Sequence, residues 1–384
     1  MVYTHFPVEA LRKESTPLYY YDMKLLSATL SAIAEAAADS RFKVHYAVKA
    51  NADEPVLRMI AEAGFGADTV SGGEIKAALA VGFGGEKIVY AGVGKTDTEI
   101  ELGLDAGISC FNVESMAELE VIEEIAARKG KVAPVALRVN PNIDAHTHHY
   151  ITTGLAENKF GINLELLNPI VDKAVKSEHL YLKGLHFHIG SQITDNAPFG
   201  VLCERINAMQ DDFEARGIKF ELINVGGGLG IDYDNPDENP IPDFKAYFDV
   251  FREKLNLREG QELHFELGRS VVAQCGSLIT KVLYVKEGTK KKFVIVDGGF
   301  NDLVRPALYQ AHHKIENITS EDATTAVYDV VGPVCESSDV FGVDETLPVT
   351  RRGDLLALRS AGAYGRIMAS GYNCRPIAKG FYDY

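Results

Sequence analysis

One feature constrains this chain more than any other: an alternation. Short apolar segments recur eight times, at residues 44–50, 66–70, 88–91, 108–113, 135–140, 185–189, 222–225 and 263–267. Amphipathic or polar stretches separate them, and a further amphipathic stretch at 25–38 precedes the first. The clearest lies in SMAELEVIEEIAARKG, where Met116, Leu119, Ile122, Ile125 and Ala126 share one face of a 3.6-residue period. Ser115 and Glu118 at its start have the spacing of a capping box. Eight strands alternating with helices over about 240 residues are what a (β/α)8 TIM barrel needs. A doubly wound sheet is the rival, and it requires a reversal of strand order. The barrel is favoured because the polar and glycine-rich segments follow the strands. In a barrel those junctions gather at one mouth.

After about residue 270 the texture changes. VVAQCGSLITKVLYVKEG, KKFVIVDGG, TTAVYDVVGP and DLLALRSAGAY are apolar or alternating, and LVRPALYQA is the one helical interruption. The expectation is an α/β plus β chain. Residues 25–265 form the barrel, and residues 1–24 with 266–384 form a mostly β domain.

Lys and Arg total 39 against 54 for Asp and Glu, a net charge of −15. A field of that sign disfavours nucleic acid and anionic membranes as partners. The cysteines, at 110, 203, 275, 335 and 374, form no CxxC, so neither a disulfide scaffold nor a zinc ribbon is indicated. The first residues carry no continuous apolar run of a signal peptide, and no run of 18 apolar residues occurs. A soluble cytoplasmic protein is expected.

Several residues carry chemistry that an apolar barrel does not need. Lys49 ends the strand segment HYAVKAN; its amine either emerges into solvent or is paired, deprotonated or covalently bound. In INVGGGLG, Gly226, Gly227 and Gly228 make either a tight turn or a backbone anion cradle. Neither the dinucleotide fingerprint nor a Walker A follows, since position 231 is Ile and no GK[ST] appears. LHFHIGS puts His186 and His188 on one strand face. They are metal ligands, with His146, His148 and His149 nearby in sequence, or an imidazole stacked on a ring beside Ser191, or core histidines. No carboxylate or cysteine stands at ligand spacing, so no metal is expected. Glu266 in ELGRS needs a partner if buried: a protonated ring nitrogen, or Arg269. In the β region, Arg305 and Tyr309 share a helix face, Cys335 and Glu336 share a turn, and Tyr364 lies among small residues. Each of these is also explicable as structural, Cys335 as a small buried hydrophobe.

Taken in order, the segments YAVKAN, VSGGE, LRVNP, NKFG, GLHFHIGSQ, NVGGGLG, ELGRS, VDGGFNDLVRPALY, GPVCESSD and GAYG run through nearly the whole chain. Together they resemble the fold-type III pyridoxal-phosphate decarboxylases, the group acting on ornithine, arginine and diaminopimelate. The resemblance implies pyridoxal 5'-phosphate as cofactor, with Lys49 carrying it as a Schiff base. It implies His188 on the pyridine face, Ser191 with Gly226, Gly227 and Gly228 at the phosphate, Glu266 at the ring nitrogen, and Tyr364 near the cofactor. Arg269, Arg305 and Tyr309 match residues that hold a substrate carboxylate. Cys335 and Glu336 match a pair reaching the neighbouring subunit's site, with Cys335 in proton transfer and Glu336 at the distal amino-acid end. A homodimer with shared active sites follows. The branch resembled most takes meso-diaminopimelate to L-lysine and CO2. Its substrate keeps a second carboxylate, which Arg305 answers and a simple diamine does not need. The rivals are a decarboxylase of another basic amino acid, such as carboxynorspermidine or ornithine, and a non-catalytic cofactor carrier. One departure stands out: the family usually has Pro after the glutamate, and here it is Leu267, which keeps its backbone N–H.

Overall fold

The computed structural model describes residues 6–143 and 159–384. The histidines His146, His148 and His149, weighed above as possible ligands, lie outside the described residues. Strand β1 is Leu18–Asp22. Eight strands then close into a barrel in chain order: β2 (Phe42–Ala47), β3 (Gly66–Thr69), β4 (Ile88–Tyr90), β5 (Cys110–Val113), β6 (Ala133–Arg138), β7 (Leu180–His186), β8 (Leu222–Asn224) and β9 (Glu262–Leu267). All neighbours are parallel, and β9 returns to β2 with Phe42 opposite Leu263 and Tyr46 opposite Leu267. Leu267 is fully buried there and ends the ladder, a place where proline would offer no N–H.

Contact grouping divides the chain into two units. One is Leu30–Gly230 with Asp243–Gly268; the other is Met1–Thr29, Ile231–Pro242 and Arg269–Tyr384. Alternation alone assigns residues 231–242 to the barrel, yet they group with the second unit.

Local chemistry explains the barrel's helices. Ser71 accepts the N–H of Glu74 at the start of helix Gly72–Ala80, and Thr96 with Glu99 forms a full capping box on helix Asp97–Ala106. Ser115 accepts from Glu118 N–H as its spacing predicts. The reciprocal half differs: the Glu118 carboxylate takes the N–H of Glu114 and the ammonium of Lys95 instead. Helix Ala197–Ala215 matches its apolar period. Helix Phe244–Lys254 is not among the elements that the alternation marks, although Phe244, Tyr247, Phe248 and Phe251 make a buried stripe. Asp243 caps it, and Phe248 meets Phe265 of β9 edge-on at 4.8 Å. That helix therefore seals the outside of the strand that carries Glu266.

The second unit is a mostly antiparallel sheet. Its strands are β10 (Gly276–Glu287), β11 (Lys292–Val296), β12 (Ile315–Asn317), β13 (Thr325–Val331), β14 (Val340–Pro348), β15 (Leu355–Leu358) and β16 (Lys379–Asp383). The order is β12-β15-β10-β11-β13-β14. The N-terminal segment supplies β1, which runs antiparallel to β10 and parallel to β16. Leu18, Tyr20, Ile279, Leu355 and Ala357 form part of its core.

Candidate active site

In the barrel unit the polar residues collect at or just beyond the C-terminal ends of the strands, where this architecture places its chemistry. Lys49 lies two residues past β2, in the 3-10 turn Val48–Ala50 rather than in the strand itself. Its Nζ is 3.7 Å from Oδ2 of Asp68 on β3, and the lysine side chain is 40% exposed against 1% for the aspartate. The amine is thus reachable while its neighbour is sealed in. Neither oxygen of Asp68 accepts a hydrogen bond. Burial, reinforced by the Glu266 charge, pushes this carboxyl well above the ordinary range. A contact of 3.7 Å is longer than a charge-assisted hydrogen bond and does not offset that burial. Burial therefore favours the protonated form of Asp68.

Glu266 is the opposite case. Asn112 on β5 and Asn224 on β8 donate to its Oε1, at 3.1 and 2.8 Å, and His186 on β7 lies 3.0 Å from its Oε2. Burial works against its charge, but His186 and Lys49 outweigh it and hold the carboxyl well below its usual value. An ionised, buried carboxylate framed by donors suits a protonated ring nitrogen.

Strand β7 ends at His186, so His188 stands beyond it rather than in the strand. Its Nδ1 accepts the N–H of Gly227 at 3.3 Å. Burial, with Lys49 and Arg138 nearby, pushes its pKa far down, so the ring is neutral. The glycine loop is as tight as its composition suggests. Gly226 and Gly228 take positive φ, 68° and 115°. A Cβ on Gly227 would sit 2.0 Å from the carbonyl oxygen of Glu266. The expected convergence of three N–H groups on an anion is narrower here. Gly226 donates to Asn224 and Gly227 to His188, so these two shape the loop. The structure adds a buried ion pair: Arg138 on β6 reaches Glu114 at 2.8 Å, and Glu114 also accepts from Gly161 N–H. Asn112, Arg138, His186 and Asn224 share one sequence signal, a polar residue interrupting an apolar strand.

The second unit holds another cluster. Arg269 donates to the hydroxyl of Tyr233 at 2.6 Å, and its guanidinium lies 5.1 Å from the ring of Tyr364. Arg305 opens the short helix Arg305–Tyr309 and lies 5.4 Å from the Tyr233 ring. Among the described residues no carboxylate pairs with buried Arg305, and its Nε has no hydrogen-bond partner. Burial, then the charge of Arg269, pushes its pKa down. Such a guanidinium calls for an anion from outside the chain. Tyr364 adopts φ of 56°, a conformation that side chains rarely take and that functional sites often retain. Tyr233 belongs to the Asp/Pro-rich loop and gave no signal in the sequence. Cys335 is exposed, not a buried hydrophobe, and Glu336 accepts from the hydroxyl of Tyr372. Among the described residues no group of three His, Cys, Asp or Glu is placed to hold a metal ion.

These residues fit pyridoxal phosphate. Glu266 is ionised for a pyridinium, His188 is neutral, and the Lys49 amine is accessible.

The comparisons agree with that fit. The family model described as pyridoxal-dependent decarboxylase, pyridoxal binding domain, matches residues 24–273. A diaminopimelate decarboxylase from Bacteroides thetaiotaomicron is 62% identical, over 98% of this chain and 97% of its own. One from Neisseria meningitidis serogroup B is 46% identical, over 94% and 86%. The crystal structure of diaminopimelate decarboxylase from Helicobacter pylori complexed with L-lysine superposes with a TM-score of 0.92 at 41% identity, covering 98% of this chain and 94% of that one.

Proposed function

The chain belongs to the pyridoxal-dependent decarboxylases, and from that premise we propose that it converts meso-2,6-diaminopimelate to L-lysine and CO2. The observation that carries the reading is the near full-length likeness, at 62% identity, to a diaminopimelate decarboxylase. The buried guanidinium of Arg305, which pairs with no carboxylate among the described residues, supports it, because this substrate keeps a second carboxylate after CO2 leaves.

When bound, pyridoxal 5'-phosphate supplies an electron sink for the pair that departing CO2 leaves behind. Lys49 holds the cofactor covalently through Nζ. Glu266 keeps the ring nitrogen protonated, and its ionised state is the condition for that role. His188, neutral and fixed through Nδ1, covers the ring face without adding a cation. Ser191 and the loop of Gly226, Gly227 and Gly228 hold the phosphate, with Gly226 and Gly227 acting mainly through the shape of the loop. Tyr364 borders the cofactor. Arg269, Arg305 and Tyr309 bind substrate carboxylate, and Glu336 binds the distal ammonium. Cys335 delivers a proton from Sγ to the carbon that has lost CO2.

A homodimer in which Cys335 and Glu336 serve the partner's site belongs to the same proposal. The exposure of Cys335 and Glu336, rather than burial within their own chain, supports that reading. No helix among the described residues is long and apolar enough to cross a membrane. A cytoplasmic location is proposed with it.

Borohydride reduction of the purified protein followed by peptide mapping tests the cofactor assignment. The cofactor mass is expected on the peptide containing Lys49. Its appearance on another lysine, or on none, contradicts the proposal.

A further inference from the structure

The turn between β13 and β14 carries Glu336, and a later loop carries Tyr372. The tyrosine hydroxyl donates to Oε1 of Glu336 at 2.7 Å. Both residues are exposed. An exposed glutamate ordinarily samples many rotamers, and ordering it at the moment of binding weakens the ligand it binds. Among the described residues, Tyr372 is the partner of the Glu336 side chain.

The tyrosine is itself held. Its ring packs on Phe300, with centroids 5.5 Å apart. The N–H of Phe300 donates to Asp339, whose other oxygen takes the N–H of Val334. The N–H of Ser370 donates to the carbonyl of Asn301. One short segment, residues 300–301, therefore anchors both the turn bearing Glu336 and the loop bearing Tyr372. A phenol O–H on a carboxylate is a charge-assisted bond, stronger than a neutral one and directional.

We propose that Tyr372 is a positioning residue. It fixes the Glu336 carboxylate through Oε1 and leaves Oε2 to accept the distal ammonium of the substrate. The inference rests on the proposed role of Glu336. It adds that the selectivity for a distal amine depends on the Tyr372 hydroxyl rather than on Glu336 alone.

The test compares two ligands of the holoenzyme: meso-diaminopimelate, and D-2-aminopimelate, which keeps the distal carboxylate but lacks the distal amine. Tyr372→Phe keeps the ring on Phe300 and removes only the hydroxyl. Its KM for meso-diaminopimelate should rise about tenfold, the scale of one hydrogen bond to a charged group, while kcat and the inhibition constant of D-2-aminopimelate stay unchanged. Glu336→Gln should lose the same selectivity, and the double variant should be no worse than Glu336→Gln alone. If Glu336→Gln loses selectivity while Tyr372→Phe keeps it, or if the two effects multiply independently, the positioning role is overturned and the reading of Glu336 survives. If Glu336→Gln keeps full selectivity, the reading of Glu336 fails and the inference falls with it.

Discussion

The imidazole of His186 and the carboxylate of Glu266 meet inside the barrel, with Nε2 3.0 Å from Oε2, and both side chains are almost fully buried. Strands β7 and β9 supply them, one on each side of β8. With Asn112 and Asn224 on the other oxygen, the carboxylate is framed from three strands. Removing its charge while keeping its size isolates the electrostatic role. Glu266→Gln should retain the cofactor absorbance and lose kcat by about a hundredfold or more, the scale of a lost preorganised charge. A kcat near that of the parent, measured under saturating cofactor, would show that the charge at this position is not used.

Asp68 is another buried carboxyl of the barrel, and it titrates the other way from Glu266. Its folded pKa lies well above the value of 3.8 for a free side chain. Between those two values the folded chain keeps a proton that the unfolded chain has released, so stability falls as pH rises through the window. Asn at this position does not titrate. The stability of the cofactor-free Asp68→Asn protein relative to the parent should therefore rise as pH is raised above about 4. A melting difference that is constant with pH, or that grows on acidification, would mean that Asp68 is ionised throughout.

The glycine loop predicts a contrast between two single-methyl changes. At Gly227 a Cβ meets the backbone oxygen of Glu266 at 2.0 Å, and neither strand end can yield without opening the barrel. Gly227→Ala should destabilise by about 3 kcal/mol. Gly73, in helix Gly72–Ala80, meets nothing closer than 3.6 Å. There the same change should stabilise by about 0.5–1 kcal/mol. Denaturant titration of the two variants checks the difference, and equal stabilities would contradict the close approach.

The shared site predicts complementation. Lys49→Ala and Cys335→Ala proteins should each be inactive. Mixed under conditions that exchange subunits, they should recover part of the parent activity, because a heterodimer restores one intact site. Absence of recovery, with exchange verified by mass, would place both residues in the same chain's site or remove Cys335 from it.

The barrel was legible because its apolar period changes from 2 to 3.6 and back eight times, and each change leaves a mark on composition. Strand ends were less legible. His188 reads as strand from its alternation, but β7 ends at His186, and the His188 Nδ1 accepts the N–H of Gly227 in the glycine loop. The site residues that carry unusual chemistry, such as Lys49, Glu266 and the glycine run, announced themselves by violating their surroundings. Their supports left a fainter mark, a lone polar residue in an apolar strand. Asn112 and Asn224 are ordinary residues whose role exists only once β5, β8 and β9 curve into one ring. Tyr233 acquires its meaning only where residues 231–242 group with Arg269 and Arg305. Closure of a sheet and the return of a loop are non-local, so a pattern read along the chain does not contain them.

The most direct measurement is product identity. Purified protein supplied with pyridoxal 5'-phosphate should release CO2 from meso-diaminopimelate and form L-lysine in equal amount, with ornithine and carboxynorspermidine left unconsumed in parallel reactions. Consumption of carboxynorspermidine or ornithine with no lysine formed from meso-diaminopimelate would contradict the account.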